Sequence, residues 1–139
     1  MAPPPIEMPL LTLQLIPGEF AVCQLPPNEP VPAWAGTAPF SSITRTADEL
    51  SVICAADWVP HGIKSDGGWQ LFKLVGPFEF TAVGILTSVL APLASAGLST
   101  LAIATFDTDY LLVKSAQRDA AICTLETAGH CVLGVTERS

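Results

Sequence analysis

Charge is what this sequence has least of. Only 14% of its 139 residues are charged, and its six bases, Arg45, Lys64, Lys73, Lys114, Arg118 and Arg138, stand scattered against 13 acids. No basic stripe runs along the chain, which argues against a phosphate-backbone partner, so no nucleic acid is expected. Catalytic motifs are missing too. There is no GxSxG, no HExxH, no phosphate-binding loop and no GxGxxG. With two histidines, His61 and His130, the chain offers little for a catalytic triad, and the expectation is no enzyme and no cofactor. Metal-ligand spacing is also lacking. No CxxC occurs, and His130 precedes Cys131 without a matching pair elsewhere, so no metal site is expected.

Long hydrophobic runs are not lacking. From Phe80 to Phe106 no residue is charged, a length that reaches across a bilayer. Pro92, Gly97 and several hydroxyl side chains interrupt it, and its spacing changes partway. Val83, Leu86, Leu90 and Leu93 lie on one helical face, whereas LSTLAIATF reads as a buried strand. A helix, a glycine stop and a strand explain the run without a membrane. The opening MAPPPIEMPL has neither a positive n-region nor an apolar h-region and reads as a stiff lead-in, not a signal peptide. The four cysteines, Cys23, Cys54, Cys123 and Cys131, sit in contexts such as AVCQL and SVICAA. That pattern suggests reduced, buried thiols and a cytoplasmic location.

Half the residues are hydrophobic, enough for a folded core, and the net charge of −7 implies only an acidic surface. LTLQLI and EFAVCQL read as two strands joined in a hairpin by Pro17-Gly18. FSSITRT and ELSVIC are two more, with Thr46 to Glu49 as a tight turn or capping box between them. SDGG reads as a turn before the strand Trp69 to Val75. A helix over 82–96 follows, then the strand STLAIATF, the turn DTD and the strand YLLVK. Ser115 is placed to cap a second helix that Gly129 ends, and CVLGV is the last strand. From Trp69 the order is β-α-β-β-α-β, the ferredoxin-like arrangement, with a four-stranded antiparallel sheet on two helices. The expected division is an N-terminal unit over 1–68, a degenerate copy, and a C-terminal unit over 69–139. The fold class is therefore α+β with two ferredoxin-like units.

Three stretches carry a family resemblance: SVLAPLASAGLSTLAIATFDTDYLLV, GWQLFKLVGPFEFTAVGIL and FSSITRTADELSVIC. They resemble the ACT domain, a small regulatory module that binds amino acids. The group it is most similar to is the tandem-ACT one that includes the CASTOR arginine sensors and aspartokinase-type regulatory regions. The resemblance implies two ACT-type units and a regulatory, sensor-like protein. Its ligand would be a free amino acid held between ACT units packed side by side, in a homodimer. It implies ligand contacts from the helix start, Gly84, Ile85, Ser88 and Val89, and from the central turn, Thr105, Phe106, Thr108 and Asp109. Thr105, Phe106 and Asp109 match the sensors' T-[FY]-x-x-D pattern.

Read as residues alone, Asp107 and Asp109 favour a plain turn, since aspartate is a common turn former. With the resemblance, Asp109 takes a ligand role, its carboxylate suited to an ammonium or guanidinium and hence to a cationic amino acid. Asp107 stays a turn residue. Pro92 frees the Ser88 carbonyl, which either receives a ligand donor or bonds to water in a kinked helix; both readings stand. His61 and His130 are expected at the surface. Trp34, Trp58 and Trp69 are expected as packing anchors. The alternative functions are a ligand-free structural or protein-interaction module of ACT fold, and a small enzyme using Cys54 or His61.

Overall fold

The computed structural model describes residues 8–37, 39–79 and 81–135. Its elements are β1 (Thr12–Leu25), β2 (Ser41–Arg45), β3 (Leu50–Ala55), β4 (Lys64–Leu74), α1 (Ile85–Ser95), β5 (Thr100–Ala104), β6 (Asp109–Lys114), α2 (Arg118–Thr127) and β7 (Cys131–Leu133). Short 3-10 turns cover Ala33–Gly36, Ala56–Trp58 and Ser115–Gln117. This is an α+β chain whose sheet is mostly antiparallel. It separates into two compact units, Pro17–Leu71 and Phe72–Ser139 with Met1–Ile16.

Two expected turns lie inside strands. Pro17-Gly18 does not close a hairpin, because β1 runs unbroken from Thr12 to Leu25. SDGG likewise belongs to β4, which starts at Lys64. In each case a glycine takes a positive φ, +96° at Gly18 and +74° at Gly68, and so absorbs a local irregularity without reversing the chain. Period-2 burial persists on both sides, with Leu13 and Leu15 buried before the glycine and Ala21, Cys23 and Leu25 after it.

In the unit Pro17–Leu71 the strands follow the order β2-β3-β1-β4. β3 is antiparallel to both β1 and β2, with Cys23 opposite Val52 and Ile43 opposite Val52 on the other side. Leu50, Val52 and Cys54 alternate into a small core with Ala21, Cys23, Leu25 and Ala35, and Trp34 packs against it half-buried. Where the C-terminal unit has helices, the described residues of this one form 3-10 turns. The sequence explains this, since Pro26, Pro27, Pro30 and Pro32 crowd the segment before Ala33 and forbid helical hydrogen bonding there. Trp58 is no packing anchor; it is 54% exposed.

In the other unit the elements β4-α1-β5-β6-α2-β7 follow the expected order, but the sheet has five strands, β7-β1-β4-β6-β5. The first residues of β1 stand between β4 and β7 and run parallel to β7, pairing Leu13 with Val132. The expected four-stranded antiparallel sheet is corrected accordingly. The cause lies in LTLQLI: Leu11, Leu13 and Leu15 all enter the helix-side core, so this segment adds a full apolar row that three-residue β7 cannot supply. Phe72 and Leu74 from β4, Leu111 and Val113 from β6, Val89 and Leu93 from α1, and Ile122 and Leu125 from α2 complete that core. Each such side chain contributes about 1.5–3 kcal/mol by leaving water. The helix begins at Ile85, later than expected, and Val83 lies outside it, 68% exposed.

His130 is the second correction to the exposure reading. It is 5% exposed and ties three elements of this unit together. Pro92 has no N–H, so the Ser88 carbonyl one turn earlier lacks its helical partner. The His130 ring fills that vacancy with Nε2 at 2.8 Å, while its Nδ1 accepts the Leu11 amide at 3.0 Å. Because an amide only donates, the ring carries its proton on Nε2 and donates it to Ser88. The freed carbonyl is thus satisfied internally.

Candidate ligand-binding cleft

The turn that joins β5 to β6 is built by its own hydroxyls. The Thr105 amide donates to the Thr108 carbonyl at 2.9 Å, and the Thr105 hydroxyl donates to the same oxygen at 2.8 Å. Thr108 is buried, and its hydroxyl donates to the Leu74 carbonyl at 2.6 Å, fixing the turn to the end of β4. The loop after β4 then approaches from the other side. The Phe78 amide donates to the Asp107 carbonyl at 2.9 Å. A side chain on Gly76 would stand 3.1 Å from that same oxygen, so only glycine lets the loop come this close without a shift.

Between loop and turn lies a cleft of about 210 Å³. Phe78, Glu79, Ala82 and Ile85 form one wall. Residues from Ala104 to Asp109 form the other. Glu79 and Asp107 are exposed and Asp109 is half-buried. Among the described residues none of these three carboxylates makes a side-chain hydrogen bond or ion pair. Among the described residues no lysine or arginine lines the cleft. Its potential is therefore negative, and it favours a group that carries positive charge and donates hydrogen bonds. The start of α1 supplies the opposite polarity. Gly84 caps it without a side chain, so the first amides of the helix lack an intrahelical acceptor and suit a carboxylate.

The expected site residues divide. Ile85, Thr105, Phe106, Thr108 and Asp109 come together in the cleft, and Asp107 joins them. Gly84 stands beside it as the helix cap. Ser88 and Val89 do not reach it. Val89 is fully buried in the core, and the Ser88 hydroxyl donates to the Ile85 carbonyl at 2.7 Å. Thr105 and Thr108 spend their hydroxyls on the turn, which leaves the Asp109 carboxylate to meet a ligand from that wall, beside the exposed Phe106 ring. Phe106 is 79% exposed, unusual for a large aromatic ring. Sequence reasoning missed Phe78 and Glu79. Their signal is Gly76-Pro77, a turn pair that ends β4 and throws the next residues toward the aspartates.

The cysteines offer no second site. Cys23 and Cys54 are buried, as expected, while Cys123 and Cys131 are exposed, which corrects the reading of all four as core. Burial pushes the Cys23 thiol up to about 11, with the neighbouring Cys54 thiol adding to the shift. Burial raises Cys54 as well. A nucleophilic cysteine needs the reverse, a lowered pKa and access. Among the described residues no cluster of three metal-ligating side chains forms, and no helix is long and apolar enough to cross a membrane.

The β4-α1-β5-β6-α2-β7 order, with a cleft at its central turn, is the plan of an ACT domain, and the ACT-domain family model matches residues 64–127. A second model, described only as an N-terminal domain, matches residues 18–62. The chain is 39% identical to protein Atu0741 from Agrobacterium tumefaciens over 94% of its own length and 98% of that chain, with a TM-score of 0.87, and it belongs to the same family. VC0802, a Vibrio cholerae protein of unknown function, shares the fold at 21% identity and a TM-score of 0.70, covering 85% of this chain and 89% of that one. So does the ligand-free regulatory subunit of aspartate kinase from Thermus thermophilus, at 12% identity and a TM-score of 0.61, covering 84% and 97%. Among curated proteins nothing matches significantly.

Proposed function

We propose that this protein is a non-catalytic regulator that binds a free amino acid in the cleft between α1 and the β5–β6 turn. The observation that carries the reading is the pairing of opposite polarities across about 210 Å³: unpaired carboxylates on Asp109, Asp107 and Glu79, and the uncapped start of α1. A zwitterion presents an ammonium to the first and a carboxylate to the second. The ACT family match and the likeness to a regulatory subunit support this class of function. The N-terminal unit is read as a degenerate ACT copy. Its strand order, β2-β3-β1-β4, and its order of elements, with 3-10 turns in place of helices, fit the ferredoxin-like plan. Assembly as a cytoplasmic homodimer, with a second copy closing the open side of the cleft, completes the proposal. Binding would then favour the dimer by mass action.

A thermal-shift screen of the free amino acids tests it. A ligand at about 100 times its Kd adds roughly 2.7 kcal/mol, which is several degrees for a chain of this size. Asp109→Ala is expected to remove the shift. A flat screen with wild-type protein would refute ligand binding and leave the ligand-free interaction module as the reading.

A further inference from the structure

The two units close their central hairpins in the same way. The turn of 46–49 in the N-terminal unit repeats the turn of 105–108. Each begins with threonine, carries aspartate third, and returns the threonine amide to the fourth carbonyl at 2.9 Å, Thr46 to Glu49 and Thr105 to Thr108. In each, the fourth amide donates back to the threonine hydroxyl, at 3.2 and 3.4 Å. The register agrees: the last ladder pair before the turn is Arg45 with Leu50 in one, Ala104 with Asp109 in the other. The segments that follow the first strand of each unit share a Pro-x-Glu sequence, Pro27-Asn28-Glu29 after β1 and Pro77-Phe78-Glu79 after β4.

One position differs in kind. Arg45 stands where the C-terminal hairpin has Ala104. Its guanidinium donates through Nη1 to the Pro27 carbonyl and through Nη2 to the Glu29 carbonyl at 2.9 Å. A cation already sits against the first loop of the N-terminal unit, held in the chain itself. In the C-terminal unit Ala104 stops at its methyl group and lines the open cleft opposite Glu79.

We propose that the units carry one cation position in two states. In the N-terminal unit Arg45 occupies it in cis. In the C-terminal unit Ala104 leaves it open for the cationic side chain of a diffusible amino acid, which donates to the backbone of the 77–79 loop as Arg45 does to the 27–29 loop. Ala104 is thus the residue that decides whether the site is available. This rests on the proposed ligand-binding function for its second half; the first half stands on Arg45 alone.

Three variants test it. Arg45→Ala is expected to lower Tm, and methylguanidinium at millimolar concentration is expected to raise the variant's Tm beyond its effect on wild type, while neutral N-methylurea does not. Equal shifts in variant and wild type would overturn the cis occupant. Ala104→Arg is expected to abolish the response of wild-type protein to arginine, and Ala104→Ser to keep it. Arginine is expected to bind at least tenfold more tightly than citrulline, its neutral analogue. Binding unchanged in Ala104→Arg, or equal affinity for arginine and citrulline, would overturn the open cation position. If only neutral amino acids bind, ligand binding survives and this inference falls. If no amino acid binds wild-type protein, the C-terminal half falls with the proposed function, and the Arg45 rescue alone decides the rest.

Discussion

The N-terminal and C-terminal units share a strand plan and differ in what fills the connections. In one, four residues of 3-10 turn follow the first strand; in the other, an eleven-residue helix does. The difference shows in the cores. The helical unit buries Phe72, Leu111, Leu93 and Leu125 under two helices, whereas the other gathers Ala21, Cys23, Ala35 and Val52. A helix start also brings uncapped amides to the central turn, which a proline-rich loop and a short 3-10 turn do not offer in the same form. The same topology therefore yields an open cleft beside the central turn of one unit and an arginine-strapped loop beside that of the other.

Breaking the helical layer should hurt most. Phe72→Ala removes a fully buried ring from the C-terminal core and is expected to cost about 3–5 kcal/mol, read from urea unfolding. Next comes the histidine that joins α1, β1 and β7. His130→Ala strands the Ser88 carbonyl and the Leu11 amide, and at roughly 1–3 kcal/mol per buried unpaired group the expected loss is about 2–6 kcal/mol. Thr108→Val keeps the shape but loses the hydroxyl bond to Leu74, for about 1 kcal/mol. It should weaken ligand binding more than it weakens the fold, because it frees the turn that carries Asp109.

An effect seen only at alkaline pH belongs to the N-terminal core and sharpens the contrast. The Cys23 thiol is raised from 9.0 to about 11 in the fold, so its neutral form stabilises the protein fully below about pH 9. That contribution is lost as pH climbs toward 11. Cys23→Ala should show a shallower fall in stability over that window than wild type. A thiol probe on native protein is expected to label Cys123 and Cys131 and to spare Cys23 and Cys54.

Much of this was legible in the residues. The helical face of Leu86, Leu90 and Leu93 and the glycine stop after it read correctly because local spacing decides them, whereas the turn expected at DTD lies at 105–108, with Thr105 and Phe106 in it and Asp109 opening β6. Pro17-Gly18 and SDGG misled because turn-forming pairs also serve inside long strands, where a positive φ is needed without a reversal. His130 was unreadable for a different reason. Its partners are backbone groups of residues 42 and 119 positions away, one of them exposed only by Pro92. In the cleft, the aspartate wall was visible as a motif. The Phe78 wall was not, since a loop's approach to a turn depends on strand pairing and leaves little local pattern.

The most direct test is an amide NMR titration with the amino acid that gives the largest thermal shift. Perturbations are expected at Ala104 to Asp109, at Phe78 and Glu79, and at the first turn of α1, while Thr46 to Glu49 stays silent because Arg45 already fills its unit's cation position. Perturbation centred on the 46–49 turn, or none at the Asp109 wall, would contradict the account.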